Sequence, residues 1–350
     1  MAPRGVLTIS WAASRAAISL ALSAAAWKLS ALTPSPLVNG LLPAVTVLPL
    51  LWVLPARPRL GIALQLLAAL GLLAIAASLV PVPVVGLLVA VLLLTAGAQL
   101  ADLPLQRQII AVGGVPMAAL RTGSEAGRLM GTTLAAILFP IGKTLLQFSQ
   151  VLVLLLPLTL LSAWLQPRAA PSSARHAVPG WDRGPLLQGA LFGALFGLLP
   201  LWVRQQSAGS CVDFAMVLTA YGLGRAAAEV LQGRIRFDLG PLYLALAGLL
   251  AGTQLLSGWA AVLLFVPLGL LAAASDLILT LQLASDQDRN QDLAMRTQRF
   301  NRSACLGAVI GGLGMGAAAQ LLSLVSVLPL LLLAFVAMAV WMPRLVAPTR

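Results

Sequence analysis

Apolar residues in this chain come in long unbroken runs, not at the intervals of a half-buried helix or strand. Stretches such as Leu87–Leu94 and Val151–Leu156 are apolar on every face. Such runs belong in hydrocarbon, where each backbone N–H and C=O must be satisfied internally, so only helices or closed barrels can span. Barrel strands would alternate apolar and polar residues over about ten positions, and these runs do not. At about 20 residues per crossing, the pattern predicts helical spans near 10–31, 37–55, 60–80, 83–104, 126–142 and 146–165. After a polar stretch it predicts six more, near 187–203, 211–231, 239–257, 259–283, 303–323 and 325–342. The thinnest breaks are Gly142-Lys143 and the junction before Val325–Leu328. The predicted class is an all-α integral membrane protein of about twelve transmembrane helices.

Composition agrees. Of 350 residues, 60% are hydrophobic and 9% charged, whereas a soluble domain carries about 25% charged residues. The formal net charge of +12 does not point to nucleic acid, because the basic residues are scattered between apolar runs with no basic domain to grip phosphates. They carry topology information instead. With twelve spans both termini share one side, and roughly 17 of the 22 Lys and Arg fall in the loops of that side. Only Lys28, Lys143 and Arg204 fall opposite, and Arg15 and Arg225 lie within spans. The positive-inside rule then makes both termini cytoplasmic, in a multi-pass protein of a cell (inner or plasma) membrane. Trp11, Trp27, Trp52, Trp164, Trp202, Trp259 and Trp341 fall near span ends, as interfacial rings prefer. Arg15 interrupts the first apolar stretch, so a retained span is expected there and not a cleaved signal.

The stretch Gln166–Arg183, with Pro167, Pro171 and Pro179, separates two halves. The expected division is an N-terminal six-helix bundle at 1–165, a cytoplasmic linker at 166–186 and a C-terminal six-helix bundle at 187–350. A short repeat crosses the linker. Val53-Leu54-Pro55-Ala56-Arg57-Pro58-Arg59 recurs as Val230-Leu231-Gln232-Gly233-Arg234-Ile235-Arg236, about 177 residues on. Each copy follows the second span of its half, as parallel repeats require.

Chemistry-bearing residues are few. Cys211 and Cys305 sit in different apolar segments, and the single histidine, His176, falls in the linker. No disulfide framework, metal site, cofactor or nucleophile–base set is expected, and there is no phosphate-binding G-x-x-x-x-G-K-[ST] loop. The chain is therefore expected not to be an enzyme. Charges inside spans are the informative residues, since each costs roughly 2.5–3.5 kcal/mol at mid-helix unless paired or hydrated. Asp276, in the tenth span, is either a proton-coupling carboxylate or a buried acid held by a basic partner. Arg225 and Glu229 lie one helical turn apart and can neutralise one another. Arg15 and Asp102 lie at a cytoplasmic depth where they either join a gate network with Asp276 or snorkel. Lys28 and Arg204 either attract an anionic substrate or anchor span ends. Gly307, Gly311, Gly312 and Gly316 predict close helix packing. The loop Ser285–Arg302, with Asp286, Asp288 and Asp292 among arginines, is expected to form a solvated amphipathic helix or a latch to Arg107 or Arg121.

Several segments resemble the major facilitator superfamily, over nearly the whole chain. Leu32-Thr33-Pro34-Ser35-Pro36-Leu37-Val38-Asn39-Gly40 followed by Leu48-Pro49-Leu50-Leu51 is similar to the first outer loop and second span of its enterobactin-exporter and macrolide-efflux branch. Pro104-Leu105-Gln106-Arg107-Gln108 with Gly127-Arg128-Leu129-Met130-Gly131 resembles that branch's fourth-to-fifth connection. Leu199-Pro200-Leu201-Trp202-Val203 and Thr219-Ala220-Tyr221-Gly222-Leu223-Gly224 resemble its seventh and eighth spans. Lysophospholipid transporters share much of this layout. The resemblance implies two pseudo-symmetric bundles, with spans one, four, seven and ten lining a central cavity. On that basis Arg15, Lys28, Asp102 and Arg204 become substrate-cavity candidates. Arg57, Arg59, Arg225, Glu229, Arg234, Arg236 and Asp238 become cytoplasmic-gate candidates. The family's gate loop, G-x-L-x-D-R-x-G-R-R, has lost its acid in the first copy here and keeps an acid, Asp238, in altered spacing in the second. The fifth-span antiporter motif retains only Gly131, Pro140 and Gly142, with Lys143 replacing a glycine. The implied function is secondary active transport, in the export direction, of a small organic, amphipathic or anionic compound by a monomer, with a proton or sodium as coupling ion. The alternatives are a lysophospholipid facilitator and a non-transporting assembly factor of a membrane complex.

Overall fold

A computed structural model describes residues 4–52, 57–139, 141, 144–164, 180–205, 209–230, 238–285 and 293–346. These are helical almost throughout. The helices are α1 (Arg4–Leu32), α2 (Pro36–Val47, extended by a 3₁₀ turn at Leu48–Leu51), α3 (Pro58–Ala76), α4 (Pro83–Gly113), α5 (Met117–Leu138) and α6 (Thr144–Trp164). They continue as α7 (Arg183–Gln205), α8 (Cys211–Val230), α9 (Leu239–Leu255), α10 (Trp259–Leu263), α11 (Phe265–Ser285), α12 (Leu293–Leu322) and α13 (Leu324–Val346). The short α10 and α11 form one apolar crossing from Trp259 to Leu281, so each of the twelve expected spans has a helix.

Seven helices among the described residues are long and apolar enough to cross a membrane on length and composition, and three more are apolar but shorter. The other two, α5 and α8, carry Arg121, Glu125 and Arg128, and Asp213, Arg225 and Glu229. Large apolar side chains lie open on the outside, Leu255 and Leu321 at 85% exposure, as lipid-facing residues must.

Local chemistry sets the ends. Ser35 caps α2, its hydroxyl accepting from the Val38 N–H at 3.4 Å, with Pro36 as the first helical residue. Gly114 closes α4 at φ +59°, a left-handed conformation that glycine adopts without steric cost. The thin junction before Val325 is a single residue, Ser323 at φ +86°, between α12 and α13. Gly142 and Lys143 lie outside the described residues, but α5 and α6 on either side are separate helices. Several helices outrun their predicted spans. α4 continues to Gly113, α5 starts at Met117 and α12 at Leu293, carried by Gln, Arg and Leu, which favour helix beyond the hydrocarbon.

The chain forms two compact units. The first holds Met1–Thr33 and Trp52–Val178, the second Pro34–Leu51 and Pro179–Arg350. In the first, α1 packs on α4, α5 and α6, and α3 on α4 and α6. Leu7, Trp11, Leu105, Ile109, Leu120 and Leu158 belong to its core. In the second, α12 packs on α7 and α2, α8 on α11, and α13 on α9 and α7, around Tyr243, Leu246, Leu268 and Phe335. Expected in the 1–165 bundle, α2 groups with the second unit because glycines seat it there. A methyl on Gly40 would strike the Gly312 carbonyl of α12, and one on Gly197 of α7 would meet Gly40 itself. The glycine row on α12 is thus two-faced. Gly307 and Gly311 abut the Leu186 and Ala190 carbonyls of α7, while Gly312 and Gly316 abut α2.

Candidate functional site

Two glycines place the second unit's charged residues. Gly224 of α8 sits against the Val266 carbonyl of α11, and Gly269 of α11 against the Tyr221 carbonyl of α8. Neither contact leaves room for a side chain, so the two backbones nearly touch. Arg225 directly follows Gly224, and Asp276 lies seven residues beyond Gly269, so this crossing brings the two together.

Arg225 Nη2 lies 2.9 Å from Asp276 Oδ2, with the two side chains 29% and 31% exposed. The other carboxylate oxygen, Oδ1, accepts from the Gln188 side-chain amide of α7. Gln188 is buried, and its carbonyl accepts from the Tyr243 hydroxyl of α9 at 3.1 Å. The Arg225 guanidinium also stands 5.9 Å from the centre of the Tyr221 ring. Four helices therefore converge on one carboxylate, and the chain's only two tyrosines both belong to the cluster. The α8–α11 crossing puts the Asp276 carboxylate within reach of Arg225 and so adds a cross-helix pair. The same-helix pairing expected with Glu229 falls on a side chain outside the described residues.

The first unit holds a site of the same build. Arg15 Nη2 of α1 lies 2.5 Å from Asp102 Oδ1 of α4, at 14% and 26% side-chain exposure. The Arg15 guanidinium stands 4.3 Å over the Trp11 ring, and Trp11 Nε1–H donates to Ser124 Oγ of α5 at 2.7 Å. In both units an arginine follows an aromatic by four residues and neutralises an aspartate on the fourth crossing of its half. The register agrees with the sequence repeat: Asp276 follows Asp102 by 174 residues, and Gln188 follows Arg15 by 173. Where the first unit uses an arginine on its first helix, the second has glutamine there and takes its cation from α8.

A third cluster ties the start of α7 to α12. Arg299 meets Asp182 twice, Nη2 to Oδ1 at 2.7 Å and Nε to Oδ2 at 2.6 Å. The Ser303 hydroxyl accepts from the Asp182 N–H at 2.9 Å. Burial pushes the Asp182 carboxyl above its ordinary range, and the Arg299 guanidinium pulls against it. Arg302 stands 4.6 Å over the Trp181 ring and donates from Nε to the Leu51 carbonyl at 3.0 Å. Two arginines of the expected loop thus take partners at Asp182, Trp181 and Leu51, while a latch to Arg107 or Arg121 rests on the loop's aspartates. Asp286, Asp288 and Asp292 lie outside the described residues, as does the Arg121 side chain.

The remaining expected residues are more dispersed. Lys28 is half-buried near the end of α1, and Arg57 and Arg59 are exposed at the start of α3, none with an ion pair among the described residues. Arg204 is half-buried in the last turn of α7. Asp238 occupies the N-cap position of α9, exposed, without a side-chain cap bond. Arg234 and Arg236 lie outside the described residues. Sequence reasoning passes over Gln188, Tyr243, Tyr221 and Trp11 as members of these clusters. The scarcity of tyrosine and the presence of glutamine inside an apolar helix are the signals that could have found them.

No protein-family model and no curated protein matches the sequence. Solved structures do match the fold. The nucleoside transporter NupG aligns at TM-score 0.71 and 10% identity, over 99% of each chain. A bacterial homologue of the iron transporter ferroportin, in an inward-facing state, aligns at TM-score 0.66 and 15% identity, over 97% of this chain and 98% of that one. A POT family transporter in complex with a thioalcohol-conjugated peptide aligns at TM-score 0.67 and 12% identity, over 98% and 96%. At such identities the shared property is the fold, an all-helical architecture of the major-facilitator type.

Proposed function

We propose that the chain is a secondary transporter that moves a small organic compound across a membrane by alternating access, with Asp276 as its coupling carboxylate. The observation that carries this reading is the four-helix convergence on Asp276. An ion pair inside an apolar bundle is costly to build, and well-packed apolar residues would hold the same helices at no such cost. Its retention fits a group that must change charge. A proton arriving on Asp276 removes the charge attraction of Arg225 and weakens the charge-assisted hydrogen bond from Gln188, so protonation biases the packing of α7 and α8 against α11. The full-length match to transporter structures supports the same reading.

In this proposal the chain consists of two six-helix repeats joined through 166–186, acts as a monomer in a cell membrane and keeps both termini on the cytoplasmic side. Arg15 with Asp102 forms the matching structural pair of the first repeat. Export is the proposed direction, and a small organic, amphipathic or anionic compound the proposed substrate class.

The test is substrate-dependent proton movement in proteoliposomes, comparing the parent with Asp276→Asn across organic anions, nucleosides, peptides, drugs and lysolipids. Proton flux triggered by one compound and abolished in the variant is the expected result. A compound that moves equally in both proteins, without protons, would overturn the coupling role and leave a facilitator. A folded protein that moves nothing would favour a scaffold.

A further inference from the structure

At the end of the second unit opposite the Asp276 cluster, the termini of α7, α8, α9 and α10 surround a recess of about 640 Å³. That volume lies within the 300–1,000 Å³ typical of small-molecule sites. Its wall is divided. Val217, Leu256, Val262 and Phe265 make an apolar side, while Asp213, Gln254 and Ser257 bring polar groups to the mouth.

Asp213 is the single charged side chain among the described residues of this lining. Part of its role is local. Its Oδ2 accepts from the Ser210 N–H at 2.7 Å and the Ser210 hydroxyl at 2.8 Å, while Ser210 Oγ accepts from the Asp213 N–H at 3.3 Å. This reciprocal arrangement starts α8. It occupies one carboxylate oxygen only, and Oδ1 takes no bond from any described residue. The side-chain amide of Gln254 and the hydroxyl of Ser257 are likewise exposed without hydrogen bonds. Trp202 lines the same wall, and its indole N–H is buried with no partner among the described residues. A negative charge and uncommitted oxygen acceptors beside an apolar wall together complement a lipophilic organic cation.

The recess also limits the cation's shape. Behind Trp202, Thr253, Gln254 and Phe265 it abuts a slot lined by Leu198, Leu250 and Leu331 with only about 20 Å³ of free volume. That is room for about one water, far too little for an alkyl chain, so a long-tailed lipid does not fit as the wall stands. A compact ligand fits the recess alone.

We infer that this recess is a binding site for a compact lipophilic organic cation, held by Asp213 at its mouth and by the apolar wall beneath. The site does not depend on Asp276 or on transport, and binding persists in a chain that moves nothing.

Equilibrium dialysis of radiolabelled tetraphenylphosphonium against the purified full-length protein in a neutral detergent tests this, with tetraphenylborate as an anion of the same shape. The cation is expected to bind saturably at one site and the anion not to. Asp213→Asn keeps an acceptor for the Ser210 N–H, so α8 can still start, and is expected to weaken the cation by about tenfold. Ala261→Phe fills the recess without altering charge and is expected to abolish saturable binding, with the melting temperature confirming that the variant folds. Equal affinity for cation and anion would overturn the inference, as would a cation affinity unmoved by both substitutions. Competitive displacement by lysophosphatidylcholine, lost in Asp213→Asn, would overturn it in favour of a lipid headgroup site.

Discussion

Replacing Arg225 by glutamine leaves the Asp276 carboxylate half-desolvated and without its guanidinium partner, while the Gln188 amide still donates to it. Breaking a fully buried ion pair from one side costs about 3–5 kcal/mol, and an exposed pair is worth about 0–1 kcal/mol. Exposures of 29% and 31% place this pair between those limits, at about 2–3 kcal/mol. At roughly 2 °C per kcal/mol for a chain of this size, Arg225→Gln should melt about 4–6 °C below the parent in detergent, followed by intrinsic fluorescence. The correspondence between Arg15 and Gln188 then makes a sharper claim. Gln188→Arg restores a cation to Asp276 from the first helix of the second half, as Arg15 supplies one to Asp102. In the Arg225→Gln background it should raise the melting temperature. In the parent it sets two guanidinium groups on one carboxylate and should lower it. Recovery will be partial, because Tyr243 loses the acceptor it has in Gln188, and an unsatisfied buried hydroxyl costs about 1–3 kcal/mol. A Gln188→Arg effect of the same sign and size in both backgrounds would refute the shared design.

Two further outcomes are expected. Gly269→Val forces a side chain onto the Tyr221 carbonyl, and should cost about 1–3 kcal/mol by overpacking while separating Arg225 from Asp276. The same change at Gly248, which has open space beside it, should cost about 1 kcal/mol or less, so equal losses at the two positions would count against the crossing as the determinant. For Asp182, burial raises the folded-state carboxyl pKa, so between that value and the ordinary 3.8 the folded chain holds a proton that the unfolded chain has released. Its contribution to stability is complete below 3.8 and lost as pH rises through the folded-state value. The stability of the parent relative to Asp182→Asn should therefore grow as pH falls through that window, and a decline would contradict the burial argument.

The number of helices and their order could be read from the sequence because burial in hydrocarbon leaves the backbone no alternative to helix, and a run of apolar residues carries that requirement by itself. Asp276 and Arg225 stood out for a related reason, the cost of a charge inside such a run. Their being partners did not. Arg225 has Glu229 one turn away in sequence, and only the glycine contact of α8 with α11 makes Asp276 its neighbour. Gln188 and Tyr243 carry no charge, so their sequence signal is weaker than that of Asp276 and Arg225, and their partners appear only when four helices meet. The same holds for α2, whose sequence places it among the first six helices while Gly40 seats it on α12. Hydropathy and charge are properties of single residues, and the sequence alone determined their direct consequences: helical spans, the asymmetric distribution of basic loops and the few charges that need partners. Which partner each charge takes depends on how closely two backbones approach, and the tertiary structure decided it through glycines facing carbonyls on helices distant in the chain.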